Sequence, residues 1–214
     1  PEVIDPITNE RFKDYFFVPT DNEETTLAKL LEFVCEKIPD KYKYDPIKDI
    51  QTLSPGKAGT VGTHNLNDQL RLRLNPSGKQ GFRDFRVGDK VINKKNRYDV
   101  GIVNGDVGIV ADITPHGMEI DFGLGSNVEI DKDLGDNIYL AYAYTVHGSQ
   151  GSEYPCCLMP VHRCHWKLLF QNLIYTGMTR GKQYVMQMGD VTAMKQGVTK
   201  TVTDKRRTGL RHWI

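Results

Sequence analysis

Along this chain the spacing of apolar residues changes rhythm twice, and that order leaves few folds open. The first stretch alternates strand-like runs with helical stripes. "DYFFVPT" (residues 14–20) reads as a buried strand. Thr20 is expected to cap a helix, with Glu23 three residues on completing a capping box. Leu27, Leu30, Leu31, Val34 and Ile38 keep one apolar stripe at helical spacing, and Pro39 is expected to end it. "DIQTLSP" (residues 49–55) is a second strand. The loop "PGKAGTVGT" then leads into a helix from Thr63 to about Leu74, stopped by Asn75-Pro76. Strand, helix, strand, loop, helix is the order of a parallel α/β sheet. Such sheets bind ligands beyond their C-terminal strand ends, where "LSPGKAG" and the later "TVHGSQG" would both fall.

The middle breaks the rhythm. Over residues 103–137 the pattern turns to short β-runs, "VGIVADI", "GMEIDF" and "NVEID", with turn residues between them. Asn104-Gly105 is expected to form a tight type I′ hairpin turn. A small antiparallel barrel inserted in the α/β domain fits this pattern. The first rhythm then returns. "IYLAYAYT" reads as one strand and "YPCCLMPV" as a short, wholly apolar one. "HWKLLFQNLIYTGMTR" reads as a helix with Trp166, Leu169, Phe170, Leu173 and Ile174 on one face, and "KQYVMQMGD" as a further strand. The expected architecture is α/β: a parallel sheet with helices on both faces, built from residues 1–102 and 138–214, with the barrel at 103–137.

Composition narrows the function classes. With 214 residues, 39% hydrophobic and 26% charged, the chain can bury a sizeable core and is not a disordered type. The formal net charge is +1, so any nucleic-acid contact must come from a local groove and not a global basic field. No apolar run approaches a membrane span, and no signal-peptide pattern appears. The four cysteines include an adjacent pair in an apolar run, a poor start for a disulfide framework. They read as reduced thiols in a cytoplasmic protein. The chain opens on Pro1, as expected of a piece of something longer.

Several motifs, in order, carry a resemblance. "TVHGSQGSE" (residues 145–153), followed after one helix by "NLIYTGMTR" (residues 172–180), resembles motifs V and VI of superfamily-1 helicases. The closest likeness is to the RecD-like branch, whose members move 5′→3′ on single-stranded DNA. "DIQTLSPGKAGTVGTHNLNDQL" is similar to that branch's motif IV region. "FRVGDKVINKKNRYDVGIVNGDVGIV" resembles its lead-in to an SH3-like barrel, and "RRTGLRHWI" its C-terminal end. The resemblance implies a RecA-like second motor domain with an SH3-like insertion, coupling ATP hydrolysis to DNA translocation. The ATP and its Mg2+ would be held mainly by an N-terminal motor domain. No GxxxxGK[ST] loop occurs here, since "GKAGT" lacks the spaced glycine and the following hydroxyl. The chain is therefore expected to be the C-terminal half of such an enzyme, inactive by itself. The implied partners are single-stranded DNA, the first motor domain and, in some relatives, subunits of a nuclease complex. An alternative is a non-catalytic nucleic-acid- or protein-binding module derived from a helicase.

The resemblance also distributes roles. Arg180 matches the arginine finger that reaches the γ-phosphate across the interdomain gap; otherwise it is a surface arginine favourable at a helix C-terminus. Glu153 matches the carboxylate on the nucleotide ribose, and Gly151 would let the backbone approach the nucleotide. Gln150 would link the nucleotide and DNA sides. Lys57 would meet the γ-phosphate or DNA. Thr145 and His147 match DNA-side residues, and Ser54 and Thr63 are candidates for phosphate contact at a strand end and a helix N-terminus. Each has a plainer reading, such as a solvated loop side chain or, for Thr63, a helix cap. Relatives often carry Lys or Arg where Gly148 stands, so one cation is missing from the pattern. Cys156, Cys157, His162, Cys164 and His165 cluster in sequence, but adjacent cysteines on a strand face opposite ways and no CxxC pair exists. They read as buried thiols, with no metal expected.

Overall fold

The computed structural model of the chain describes residues 14–131 and 135–201. Two five-stranded sheets dominate it. The first is wholly parallel, in the order β1 (Tyr15–Pro19), β10 (Gly181–Gly189), β9 (Tyr154–Val161), β2 (Ile50–Ser54) and β8 (Ala143–Thr145). Side chains alternate across a strand, so each strand feeds two cores. Cys156 and Leu158 join Met186 and Met188 on one face, while Cys157 and Met159 join Leu53 on the other. The first face is covered by α1 (Glu23–Glu32), α2 (Ile38–Tyr42) and α3 (Thr63–Leu74), and the second by α4 (Gln171–Met178) and α5 (Val191–Thr199). The expected α/β class, with helices on both faces, is what forms.

Details differ where local chemistry offered a better partner. Asn22, not Thr20, caps α1. Its Oδ1 accepts the Thr25 N–H at 2.8 Å, and Thr25 Oγ1 accepts the Asn22 N–H at 3.2 Å. Thr20 instead pairs its hydroxyl with that of buried Thr26 at 2.6 Å. Pro39 does not end the helical run. A wide turn over Phe33–Lys37 brings the Ile38 N–H back to the Phe33 carbonyl, and Pro39 then falls in the first turn of α2. A missing N–H is harmless there. Lys43, left-handed at φ 60°, closes the run. The long helix expected from residue 165 starts only at Gln171, and Trp166 stands 58% exposed while Leu169 and Ile174 are buried. "RRTGLRHWI" lies outside the described residues.

The second sheet is antiparallel, in the order β6 (Val128–Ile130), β5 (Met118–Asp121), β4 (Val107–Ile113), β3 (Lys90–Asn93) and β7 (Ile138–Leu140). It wraps its own core of Val91, Val110, Met118, Ile120 and Ile130. Residues 103–137 hold three of its strands; the pairing itself begins at Lys90 and ends at Leu140. The Asn104-Gly105 turn is not type I′. Only Gly105 takes a positive φ, 102°, and the Asp106 N–H closes a four-residue turn on the Val103 carbonyl.

"IYLAYAYT", expected as one strand, is divided between the sheets. Its first half is β7 and its second half β8, with buried Ala141 and Tyr142 between them. A knot of charge fastens this junction. Asp89, fully buried, accepts from Arg71 Nε (3.2 Å), Asn75 Nδ2 (2.8 Å), the Tyr142 hydroxyl (3.1 Å) and the Arg86 N–H (2.8 Å). Arg71 Nη2 adds a second contact at 2.9 Å. Next to it Lys90, also buried, crosses from the second sheet to donate to the Ile50 carbonyl of the first at 3.2 Å. Burial lowers its pKa to about 8.

Candidate functional site

The residues singled out from sequence gather at opposite ends of the parallel sheet. Ser54 and Thr145 are neighbours in register at the C-terminal ends of β2 and β8. Beyond them lies a cleft of about 600 Å³, bordered by Lys57, Thr63, Asn67, Lys94, Tyr144 and Thr145. Its wall is shared: Lys57 and Thr63 come from the loop and helix after β2, and Lys94 from the second sheet. Asn67 holds the edge strand in place. Its side chain accepts the Ala143 N–H at 2.9 Å and donates to the Ala143 carbonyl at 2.7 Å, satisfying backbone groups that an edge would leave bare.

Of the expected phosphate contacts, Ser54 has no free donor, whereas Thr63 has spent its main-chain N–H but still borders the cleft with its side chain. Ser54 is fully buried, its hydroxyl donating to the Val61 carbonyl at 2.8 Å and accepting from the Gly56 N–H at 3.3 Å. It shapes the loop from beneath and does not face a ligand. Thr63 is the first helical residue, Gly62 taking the cap position. The Thr63 and His64 N–H groups are spent on the Gly56 and Lys57 carbonyls, both at 3.1 Å. Through these two N–H groups the start of α3 is folded back on its own loop.

Lys94 was invisible to sequence reasoning, and it answers the gap at Gly148. A Cβ placed on Gly148 would lie 3.4 Å from Lys94 Nζ. Lys94, which directly follows β3 of the second sheet, thus stands beside the position a side chain at 148 would take. Lys94 Nζ lies 5.6 Å over the Tyr144 ring, and its pKa is lowered, first by partial burial and then by Lys57. Thr145 accepts the Gly148 N–H at 3.2 Å and starts a tight turn over Val146–Ser149, on which His147 is exposed.

From that turn the chain runs down the sheet to its other end, which corrects the expectation that the whole motif lies beyond the C-terminal strand ends. Glu153 immediately precedes the start of β9, and Arg180 the start of β10, with the Tyr154 N–H on the Arg180 carbonyl at 2.8 Å. Gly151 is exposed at φ 87°, a backbone state that side chains resist. Arg180, half-buried, ties this corner together. Its Nη1 donates to the Ser152 carbonyl (2.9 Å), Nε to the Thr176 carbonyl (3.1 Å) and Nη2 to the Thr179 hydroxyl (3.0 Å). Glu153, exposed, pairs with Lys182 at 3.6 Å. Lys57 lies with the far cleft, not here. Gln150 is exposed, its N–H on the His147 carbonyl at 3.5 Å. The hydroxyls of Tyr144 and Tyr154, which bracket residues 145–153, hydrogen-bond to each other.

A five-stranded parallel sheet joined to a five-stranded antiparallel one defines the class as α/β. A model of the UvrD-like helicase C-terminal domain matches residues 140–186, and a model of the ATP-dependent RecD-like DNA helicase SH3 domain matches residues 66–122. The solved structure of Pif1 helicase from Bacteroides in complex with ADP-AlF3 and ssDNA shares the fold, with a TM-score of 0.51 at 16% identity over 84% of this chain and 50% of that one.

Among curated proteins, the ATP-dependent RecD2 DNA helicase of Deinococcus radiodurans is 36% identical over 148 residues, covering 67% of this chain and 20% of that protein. The RecBCD enzyme subunit RecD of Haemophilus influenzae is 28% identical over 164 residues, covering 75% and 24%. The chain belongs to the RecD-like superfamily-1 DNA helicases, of which it carries the C-terminal region. It spans about a quarter or less of the length of these two relatives. Among the described residues no helix is long and apolar enough to cross a membrane.

Proposed function

We propose that this chain is the second motor domain, with its SH3-like insertion, of an ATP-dependent helicase that moves 5′→3′ along single-stranded DNA. The observation that carries the reading is the division of one short segment between the two ends of the sheet. Residue 145 stands at a cation-lined cleft, and residues 151–153 stand beside Arg180. A shift at one end is passed to the other through a few residues of main chain, clasped by Tyr144 and Tyr154.

At the Arg180 end, Gly151 and Glu153 would meet the sugar of a nucleotide whose phosphates are gripped by the first motor domain. Three of the guanidinium's nitrogens already hold main-chain and hydroxyl partners, so the group is oriented before ligand arrives. Its remaining N–H groups can turn to the γ-phosphate, where such an arginine is worth roughly 10³–10⁵ in rate. Glu153 at this corner is paired with a cation, Lys182, at 3.6 Å. That is a poor magnesium site, so the proposal leaves Mg2+ to the first motor domain.

At the other end, Lys57, Lys94, Thr145 and His147 offer donors to the DNA backbone without reading its bases. The test is Arg180→Ala in the full-length enzyme. DNA-stimulated ATP hydrolysis should collapse while ATP binding persists; strong residual turnover would count against the reading.

A further inference from the structure

We propose that Glu23, His162 and Cys164 form a site for one Zn2+ ion behind the loop that carries Lys57. Glu23 is the first residue of α1, His162 directly follows β9, and Cys164 lies in the tight turn Arg163–His165. One ligand atom from each residue lies within 4.8 Å of the other two. His162 is only 9% exposed, and neither of its ring nitrogens has a hydrogen-bond partner. Its Nδ1 is 3.8 Å from Glu23 Oε1. A buried imidazole without partners is costly and calls for a ligand. His165, 5% exposed, lies one residue beyond Cys164.

The donor set decides the ion. Imidazole nitrogen, thiolate sulfur and one carboxylate oxygen suit Zn2+ and disfavour Mg2+ and Ca2+, which take oxygen ligands. Three protein ligands leave a fourth position for water or for a shifted His165. The placement gives the ion something to hold. The loop after β2 leans on this cluster: a Cβ on Gly59 would stand 3.9 Å from Glu23 Oε2, and one on Gly56 would stand 2.8 Å from the His165 ring. An ion here would pin α1, the end of β9 and that loop to one another. Sequence reasoning missed the site because its carboxylate comes from the far end of the chain, and no paired Cys or His spacing announces it.

The test uses the purified chain stripped with a chelator, then titrated with Co2+ as a spectroscopic substitute for Zn2+. One equivalent should produce the visible bands of tetrahedral cobalt and a near-ultraviolet thiolate charge-transfer band, both displaced by Zn2+. Cys164→Ser should abolish the charge-transfer band. His162→Ala should weaken binding by more than the roughly 10–100-fold that follows loss of an outer-shell partner. Cys35→Ser should bind as the parent does. A second measurement needs no variant: Cys164 is the exposed thiol, and Zn2+ should slow its alkylation. Absence of the charge-transfer band, wild-type binding by Cys164→Ser, or alkylation indifferent to Zn2+ would each overturn the proposal.

Discussion

The two ends of the parallel sheet are built on opposite principles. At the Arg180 end the buried and half-buried cations are tied. Arg180 is held by two carbonyls and a hydroxyl, and nearby Lys90 is buried on the Ile50 carbonyl. At the cleft end Lys57 is exposed and Lys94 half-buried, near enough for one cation to lower the other's pKa. A tied corner keeps its geometry until a ligand with stronger charge displaces a partner. Two mutually repelling cations favour an anion beside them, although Asp68 borders the same cleft. The contrast teaches that the segment over residues 145–153 joins an end whose arginine is held by three partners to one whose cations are more open.

The largest expected effect breaks the comparison at its tied end. Arg180→Ala in the full-length enzyme should lower DNA-stimulated ATPase by about 10³–10⁵ in steady-state assays, while single-stranded DNA affinity changes only a few-fold. Arg180→Lys should not rescue it, because an ammonium cannot span three acceptors in a plane.

Next is the junction that braces both ends. Asp89→Ala leaves Arg71, 7% exposed, without its main counter-charge. It should cost about 3–5 kcal/mol in denaturant unfolding of this chain. Lys90 offers a pH test of the same brace. Its folded pKa of about 8 lies below the ordinary 10.5, so the unfolded chain binds the proton more tightly. The penalty is therefore full below pH 8 and relieved as pH rises towards 10.5. Measured against Lys90→Met, wild-type stability should improve across that window by on the order of 2–3 kcal/mol. A flat difference would show that Lys90 is not buried as a cation.

Smaller effects sharpen the more open end. Lys94→Ala should weaken single-stranded DNA binding several-fold and reduce the salt slope by about 0.7, one phosphate's share. Ser54→Ala should cost about 1 kcal/mol of stability and leave that slope unchanged, because its hydroxyl serves Val61 and Gly56 and not a ligand. If Ser54→Ala shifts the slope and Lys94→Ala does not, the cleft has been assigned to the wrong side chains.

Much of this was written in local pattern. The strand β9 follows from its uninterrupted apolar run, because burial on both faces demands one, and β2, β10 and the helix α3 follow from shorter apolar patterns and their stops. Arg180, Glu153 and Thr145 stood out through ordered motifs. Three things were decided only when the chain closed on itself. "IYLAYAYT" is uniformly apolar, and nothing in it says that Ala141 and Tyr142 mark a change of sheet; Asp89 and Lys90 choose that point. Gly148 looked like a lost cation until Lys94 arrived from the other sheet. The Ser54 hydroxyl and the Thr63 N–H looked like ligand donors until the Val61 and Gly56 carbonyls took them. Periodicity is a property of adjacent residues, so the sequence by itself determined which segments are buried and of what type. A hydrogen bond or a counter-charge belongs to whichever group comes within about 3 Å, and only tertiary structure settles that.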